Sequence, residues 1–190
     1  MSDAIRREQQ LRKLSKFLAL LLRHHPMRFP IKMDAQGFAR LDEVMHMVQR
    51  LPNFRWVTRA DVDAVLEMPG RQRFEVVARG TSLHIRALYG HTALRPEYER
   101  ITPPTMLYHG TAPEMLEAIR RDGIQSMERQ YVHLTPDPET ARRVALRHSA
   151  DPVILKVHAH AAHTEGQAFY RPTGEIYLTE HVPPAFIEEM

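Results

Sequence analysis

The sequence predicts an α+β protein made of two different halves. In the first half, apolar residues recur at helical spacing in three segments, which two short strand-like segments follow. In the second half, short strands and short helices follow one another irregularly, and no glycine-rich GxGxxG or GxxxxGK(S/T) loop occurs. This order differs from the regular alternation of a doubly wound fold, so a Rossmann or P-loop protein is not supported.

The first half begins with a leucine-rich helix, which the spacing predicts over residues 4–23. The leucines of its apolar side are Leu11, Leu14, Leu18 and Leu21. Pro26 prevents the helix from continuing, because proline cannot donate a main-chain hydrogen bond within a helix. The predicted helix end therefore carries Arg23, His24 and His25. These residues are either an ordinary polar helix end or functional side chains.

Two further helices and a β-hairpin complete the first half. The second apolar stripe consists of Leu41, Val44, Met45 and Val48. Thr58 and Asp61 have the spacing of a capping box at the start of a third helix. The segments RFEVVARG and TSLHIRAL predict a hairpin around Gly80, with Arg86 on the face opposite Ile85. Three helices followed by a hairpin is the order of a winged helix, a common nucleic-acid-binding unit.

The domain boundary is predicted where the sequence becomes polar and rich in proline. Residues 95–104 are predicted to link a domain of residues 1–94 to a second domain of residues 105–190. Just before this linker, His91 stands at a turn, where it is either functional or merely exposed.

Two strands of the second half carry histidines that could bind a ligand. In LYHGT, His109 ends a strand beside Gly110, which would let a ligand approach the main chain, and the hydroxyl of Thr111 could cap the next helix. In YVHLT, Tyr131 and His133 share one face. Each histidine alone is more often structural, but two such strands in a small domain favour a paired role.

Two other groups of polar residues in the second half do not by themselves indicate a function. Arg143 and Arg147 lie four residues apart on a predicted helix, as on any solvated basic face. In HAHAAH, a strand would place His158 and His160 on one face, an arrangement that zinc could use. No third ligand has a convincing spacing, so no metal site is predicted.

Composition narrows the classes of function. The 190 residues include no cysteine, which excludes disulfides and thiol nucleophiles and fits a reducing compartment. No apolar run approaches the roughly 20 residues that span a bilayer, and the start lacks a signal-peptide core, so a cytoplasmic location is expected. The net charge is +3 and arginine greatly outnumbers lysine. Because guanidinium binds phosphate in two-point geometry, phosphate recognition is the first hypothesis.

Taken together, the segments of the chain resemble the NAD-dependent RNA 2′-phosphotransferases, a family known for the last step of tRNA splicing. They occur in family order along nearly the whole chain. The matching segments are LSKFLALLLRHHP, RFEVV with LHIRALYGH, LYHGT, IRRDGIQSMERQYVHLT, ARRVALRH, PVILKV and GEIYLTEHVPPAFI. The resemblance implies an N-terminal winged-helix lobe that binds RNA and a C-terminal ADP-ribosyltransferase-like lobe that binds NAD.

The same resemblance implies site residues. The residues implied for catalysis are Arg23, His24, Arg86 and Arg147. Arg143 lies close to Arg147, so this last position stays open between the two. The residues implied for contact with NAD are His109, Gly110, Thr111, His133 and Ile176. The family usually has QGHS where this chain has YGHT, which affects the contacts expected around Tyr89 but not the reaction expected. His25 matches no constant position.

The activity that the resemblance implies is removal of an internal 2′-phosphate from RNA by its transfer to NAD. The reaction passes through an ADP-ribosylated RNA 2′-phosphate and yields RNA 2′-hydroxyl, nicotinamide and ADP-ribose 1″,2″-cyclic phosphate. The three arginines would hold the phosphate, His24 would donate a proton or hydrogen bond, and no metal is required. The expected partners are NAD and RNA bearing a 2′-phosphate, bound by a monomer with no membrane association. Two alternatives stay open: an ADP-ribosyltransferase acting on nucleic-acid phosphate ends or another acceptor, and a non-enzymatic winged-helix binder.

Overall fold

The leucine spacing of the first segment produces helix α1 (Asp3–Ala19), which continues into a π-helical turn, Leu20–His24. A π turn closes i→i+5 hydrogen bonds and is therefore wider than an α-helical turn. Both Leu21 and Leu22 are fully buried there, although they are neighbours in sequence. The segment predicted as one regular helix over residues 4–23 thus ends in a different helical form.

The structure, a computed structural model, describes residues 3–24, 29–69 and 72–190. His25 and Pro26, and with them the predicted helix stop, lie outside these ranges. The chain divides into two compact units, Met1–Glu97 and Tyr98–Met190. The border falls within the segment predicted as a linker. Part of that segment is nevertheless a strand, Arg100–Ile101, because it pairs with a sheet of the second unit.

The first unit places its remaining helices against a small antiparallel sheet. Its further elements are β1 (Ala39–Arg40), α2 (Leu41–Gln49), a 3₁₀ turn (Pro52–Phe54), α3 (Arg59–Leu66), β2 (Phe74–Arg79) and β3 (Ser82–Ala87). The strand order is β1-β3-β2, so β3 is central. The predicted capping box of Thr58 and Asp61 begins α3, and Gly80, at φ +60°, makes the predicted hairpin turn. The second and third helices and the hairpin are confirmed.

The second unit consists of short antiparallel strands with three helices. Its elements are β4 (Arg100–Ile101), β5 (Leu107–Thr111), α4 (Leu116–Asp122), β6 (Ile124–Gln125), β7 (Val132–Leu134), α5 (Pro138–Ala145), β8 (Val153–Val157), α6 (Ala159–Thr164), β9 (Phe169–Thr173), β10 (Ile176–Thr179), β11 (His181–Val182) and β12 (Ile187–Glu189), with 3₁₀ turns at Pro113–Met115 and Pro184–Phe186. Three sheets have the orders β4-β9-β10-β7, β12-β8-β5 and β11-β6. The mixture of helices with small antiparallel sheets confirms the α+β class.

One bridge joins the two larger sheets of the second unit. The N–H of Tyr108 in β5 donates to the main-chain oxygen of Thr135 over 2.8 Å, and the N–H of Thr135 donates back to Tyr108 over 3.0 Å. Because Thr135 directly follows β7, these bonds bring the ends of β5 and β7 side by side. This junction brings together the two strands on which the predicted histidine pair lies.

Two local predictions for the second unit are wrong. Thr111 is the last residue of β5 and does not cap the next helical turn, whose N-cap is Ala112. The histidine-rich run forms helix α6 and its N-cap rather than a strand, so His158 and His160 do not share a strand face. Among the described residues, no helix is both long and apolar enough to cross a membrane.

Candidate functional site

Arg23 lies against aromatic rings of the first unit. The central carbon of its guanidinium is 4.7 Å from the ring centroid of Tyr89 and 5.8 Å from that of Phe74. Both rings are buried, so the cation rests on fixed surfaces, and such stacking is attractive because the ring face carries negative charge. Gly90, next to Tyr89, has φ +84°, and a Cβ placed there would lie 3.5 Å from Cδ and Nη1 of Arg23. A side chain longer than a methyl group at this position would reach into the space that Arg23 occupies.

Thr92 holds the main chain and the imidazole at the end of the π turn. Its N–H donates to the main-chain oxygen of Arg23 over 3.1 Å. Its Oγ1 lies 3.4 Å from the same oxygen and 3.4 Å from Nδ1 of His24. The loop after β3 is thereby fastened to the end of the first helical segment, nearly seventy residues earlier in the chain.

His91 is buried between these elements, which makes the reading of an exposed residue wrong. Only 3% of its surface is accessible, and its Nε2–H donates to the main-chain oxygen of Ala87 over 3.0 Å. Burial, together with the positive charges of Arg23, Arg86 and His24, lowers its pKa to about 4. His91 is therefore neutral at pH 7. The three residues predicted for catalysis in this unit all lie within electrostatic range of its ring.

Arg86 is oriented by a carboxylate, a main-chain oxygen and an aromatic ring. Its Nε donates to Glu75, and its Nη1 donates to the main-chain oxygen of Gln36 over 3.4 Å. Its guanidinium carbon lies 4.4 Å from the ring centroid of Phe38. Glu75 is not among the residues predicted for the site, although the predicted hairpin contained the signal. Pairing across the turn at Gly80 sets Glu75 directly opposite Arg86.

In the second unit, the two predicted histidines are joined by a hydrogen bond. The Nδ1–H of His109 donates to the main-chain oxygen of His133 over 3.1 Å, and the Nδ1–H of His133 donates to that of Tyr131 over 3.0 Å. A carbonyl oxygen only accepts, so Nδ1 carries the proton in both rings, and Nε2 is an acceptor when the ring is neutral. Burial lowers the pKa of His109, and the charge of Arg129 lowers it further. His109 is thus held neutral with a defined tautomer.

Ile176 occupies the same sheet face as His133. Leu178 pairs directly with His133 between β10 and β7, and cross-strand partners share a face. Ile176 stands two residues before Leu178, so strand periodicity places it on that face too. Its side chain is buried, with 2% of its surface accessible. The sheet therefore brings the predicted positions of His133 and Ile176 to one surface.

Gly110 allows a close approach to the main chain of β5, but the approaching element is helix α5 and not a ligand. A Cβ on Gly110 would lie 2.6 Å from both the main-chain oxygen of Ala141 and the Cβ of Ala145 in α5. No real side chain fits there, so the missing side chain allows α5 to pack on β5. The sequence predicted that a ligand would approach here, whereas the space beside Gly110 is filled by the helix.

Arg147 lies outside the helix predicted to carry it. Helix α5 ends at Ala145, and the N–H of Arg147 donates to the main-chain oxygen of Val144 over 3.2 Å in the following turn. Arg143 lies within the helix, where its Nη2 donates to Oγ1 of Thr140 over 2.8 Å. The expectation that the two arginines share one side of a helix is wrong. Both side chains are exposed.

The described parts of the chain contain no group of three or more histidine, aspartate or glutamate side chains that could hold a metal ion. In the histidine-rich run, Nε2 of His158 lies 3.3 Å from Glu188, and Nδ1 of His163 donates to the main-chain oxygen of Gln167 over 3.1 Å. His158 and His163 therefore each contact another residue of the second unit.

Comparison with known proteins gives a consistent result over nearly the full length. A family described as RNA 2′-phosphotransferase, Tpt1/KptA family, matches residues 9–181. The RNA 2′-phosphotransferase of Escherichia coli strain K12 is 37% identical over 183 residues, which cover 95% of this chain and 97% of that protein. Proteins named "Probable RNA 2′-phosphotransferase" from Fusobacterium nucleatum and Acetivibrio thermocellus are each 35% identical, over 93% and 92% of this chain and 97% and 94% of their own lengths.

Proposed function

The chain belongs to the RNA 2′-phosphotransferase family, and from this premise we propose that it removes an internal 2′-phosphate from RNA by transferring it to NAD. The observation that carries the proposal is the grouping of Arg23, His24 and Arg86 around the neutral ring of His91. Two permanent cations and one titratable imidazole in one small region suit a dianionic phosphate. The family resemblance implies a further catalytic arginine, Arg147 or Arg143, for the same reaction.

The arginines would bind and neutralise the phosphate oxygens. Guanidinium groups do not titrate near pH 7, and their planar donors match the geometry of a phosphate. Arg86 is held at Nε by Glu75, and Arg23 is stacked on Tyr89, so both cations are oriented by the protein itself. Preorganised charge of this kind stabilises a transition state without reorganisation at the moment of reaction. This supports a role for both arginines as the negative charge on the phosphate is redistributed.

His24 would supply the proton that the reaction requires. When the phosphate leaves the RNA, the bond between phosphorus and the ribose 2′-oxygen breaks, and that oxygen must gain a proton to become a hydroxyl. Imidazole is the side chain that most readily gives or takes a proton near neutral pH, so a histidine suits this step. The attacking group on the phosphorus is a ribose hydroxyl of ADP-ribose, whose own proton passes to solvent water as the new phosphorus–oxygen bond forms. The charge balance is therefore kept without a metal ion in the proposal.

The histidine pair of the second unit fits NAD. Bound NAD supplies a ribose carbon that accepts the RNA phosphate when the bond to nicotinamide breaks. His109 is half-buried and neutral, and its Nδ1–H is used by the main-chain oxygen of His133, so its Nε2 has the acceptor character that a ribose hydroxyl needs. His133 and Ile176, on one sheet face, would contact the nicotinamide side of the molecule. From the adjoining strand, Thr111 would contribute its hydroxyl, and Gly110 would contribute through its main chain alone, because α5 fills the space at its Cα.

The arrangement of each unit supports the proposed lobes. In the first unit, the order α1-β1-α2-α3-β2-β3 with a three-stranded antiparallel sheet suits a winged-helix lobe that binds RNA. In the second, the junction of β5 with β7 brings two histidine-bearing strands together, as an ADP-ribosyltransferase-like lobe would require.

The experiment that tests the proposal uses an RNA oligonucleotide with one internal 2′-phosphate, incubated with and without NAD. The expected result is RNA with a 2′-hydroxyl and an equal amount of nicotinamide, both only when NAD is present. Loss of the RNA phosphate without NAD would overturn the proposal. A stable ADP-ribosylated RNA, with no 2′-hydroxyl formed, would instead favour an ADP-ribosyltransferase with another natural acceptor.

A further inference from the structure

We propose that the segment Tyr89–Thr92 positions Arg23 and His24 for the reaction, Tyr89 through its ring and Thr92 through its hydroxyl. The inference rests on the proposed function, because it assigns a purpose to the two side chains that would bind and protonate the phosphate group. It concerns residues that act through Arg23 and His24 and that do not themselves have to touch the substrate.

Tyr89 restricts where the guanidinium of Arg23 can lie. An arginine side chain has several rotatable bonds, so an unsupported guanidinium loses considerable rotamer freedom when it binds a ligand. The ring of Tyr89, 4.7 Å from the guanidinium carbon, is itself buried and cannot follow a moving side chain. Stacking on this ring removes much of that freedom before RNA arrives. The guanidinium of Arg23 would therefore be oriented before the phosphate binds.

Gly90 brings the main chain directly beside the side chain of Arg23. Its φ of +84° is a conformation that side-chain-bearing residues rarely adopt, and it turns the chain directly after Tyr89. A Cβ at this position would touch Cδ and Nη1 of Arg23 at 3.5 Å. Any longer side chain would displace the guanidinium from the ring. Both the turn at Gly90 and its lack of a side chain therefore favour the observed position of Arg23.

Thr92 sets the tautomer and direction of the His24 ring. A hydroxyl has one hydrogen to donate and two lone pairs to accept with. In the proposed arrangement the hydroxyl hydrogen points to the main-chain oxygen of Arg23, 3.4 Å from Oγ1, which only accepts. The same Oγ1 is then an acceptor toward Nδ1 of His24, also 3.4 Å away, so Nδ1 carries a hydrogen. Nε2 is consequently the nitrogen that would exchange a proton with the RNA 2′-oxygen.

A main-chain hydrogen bond from Thr92 holds the loop beside Arg23 independently of the Thr92 side chain. Its N–H donates to the oxygen of Arg23 over 3.1 Å, and this bond persists whatever side chain stands at position 92. Replacing the hydroxyl with a methyl group therefore removes the side-chain contacts to Arg23 and His24 while keeping the loop attached. This separation makes Thr92→Val, of almost the same shape, an informative variant, and Thr92→Ser its conservative partner.

The first test observes His24 in the free protein, by two-bond ¹⁵N–¹H correlation spectra of its ring. We expect the Nδ1–H tautomer in the wild type and in Thr92→Ser, and a shift toward Nε2–H in Thr92→Val. An unchanged tautomer in Thr92→Val would overturn the role of the hydroxyl. If that variant does not fold, Thr92→Ala provides the same comparison. Neither RNA nor NAD is needed, so the result is independent of the proposed activity.

The second test measures single-turnover rates on RNA with an internal 2′-phosphate at saturating NAD. We expect Thr92→Val to slow the reaction roughly 3- to 10-fold, the range of one hydrogen bond, with Thr92→Ser near the wild type. We expect Tyr89→Leu to slow it roughly 3- to 30-fold, the range of a cation–π contact, with Tyr89→Phe near the wild type. The KM for NAD should not change in any of them.

The control is Thr164→Val. This threonine is exposed in α6 of the second unit and also donates its hydroxyl to a main-chain oxygen, that of His160 over 3.0 Å. The variant loses the same kind of bond and should keep the wild-type rate. Equal rates for Tyr89→Leu and Tyr89→Phe would overturn the role of the ring. A wild type without activity on this RNA would refute the proposed function, while the His24 spectra would still decide the positioning.

Discussion

The Nδ1 atom of His109 lies 3.1 Å from the main-chain oxygen of His133, so one histidine proposed to bind NAD is held by the backbone of the other. The bond spans the junction at which β5 of one sheet meets β7 of another. It fixes the ring of His109, whose pKa burial lowers, as a neutral imidazole with its acceptor nitrogen opposite the bonded one. A ribose hydroxyl would meet an acceptor that needs no reorientation.

Removal of this ring is expected to weaken NAD binding. His109→Ala should raise the Kd for NAD roughly 10-fold, the effect of losing about one well-formed hydrogen bond and its packing. Isothermal titration calorimetry measures this directly. His158→Ala, which removes a histidine paired with Glu188 in the same unit, is the matched control and should leave the Kd unchanged. Equal Kd values for wild type and His109→Ala would contradict the assignment.

Arg86 is expected to be sensitive even to a conservative change. Lysine has one ammonium group and cannot bond Glu75, stack on Phe38 and hold a phosphate in two-point geometry at once. Arg86→Lys should therefore lower the single-turnover rate about 100-fold, as the loss of a preorganised donor does in other enzymes.

Arg79→Lys is the control for this change. Arg79 also stacks on Phe38, at 3.8 Å, and is paired with a carboxylate, that of Asp34 at 2.6 Å. Only Arg86, of the two, belongs to the proposed phosphate site. Similar losses of rate in both variants would mean that the ring of Phe38, and not the phosphate, determines the effect.

Gly110 is expected to matter for stability through its contact with α5. A methyl group in Gly110→Ala would lie 2.6 Å from Ala141 and Ala145, so the helix must move. Overpacking of this size typically costs about 1–3 kcal/mol of unfolding free energy. Gly174→Ala is the control, since the nearest atom to its Cβ would be the end of the Arg171 side chain at 3.9 Å. Thermal unfolding should show a lower Tm for the first variant only.

The buried ring of His91 is expected to make the first unit less stable in acid. Its pKa is about 4 in the folded chain and near 6.5 when exposed, so between these values the unfolded state binds the extra proton. The unfolding free energy therefore falls as pH drops from 6.5 to 4, by up to about 1.4 kcal/mol per pH unit from this group. Trp56, the single tryptophan of the chain, lies in this unit and reports its unfolding by fluorescence.

His91→Gln has no group that titrates in this range. Urea unfolding of the variant should depend less steeply on pH between 4 and 6.5 than unfolding of the wild type. The same slope in both would show that the acid sensitivity comes from other histidines and that His91 is not held neutral by the fold.

Periodicity accounts for the parts of the fold that the sequence predicts correctly. The second and third helices and the hairpin follow from the spacing of apolar residues, the capping box at Thr58 and the turn at Gly80, all of which are local signals. The π turn could not be recognised in this way, because the burial of Leu22 beside Leu21 depends on what packs around the helix.

Tertiary contacts explain most of the remaining differences. Arg100–Ile101 becomes a strand only because β9 offers it an edge, which a polar, proline-flanked sequence does not reveal. Gly110 looked available to a ligand because the approach of α5 cannot be seen in the sequence. Helix α6 could have been predicted, because alanine is the strongest helix former and occurs between the histidines of this run.

The proposed site was partly accessible from the sequence. Motifs drew attention to Arg23, His24 and Arg86, but the contacts that orient them come from residues far along the chain. Thr92 and Tyr89 meet the first helical segment across more than sixty residues. Glu75 was the exception, because its place opposite Arg86 follows from the hairpin register alone.

The most direct measurement of the central claim follows the phosphate itself. RNA with a single ³²P-labelled internal 2′-phosphate is incubated with the protein and NAD, and the labelled products are separated. We expect the label to leave the RNA and appear in a cyclic phosphate of ADP-ribose, with none released when NAD is omitted. Label recovered as inorganic phosphate, with or without NAD, would contradict the account.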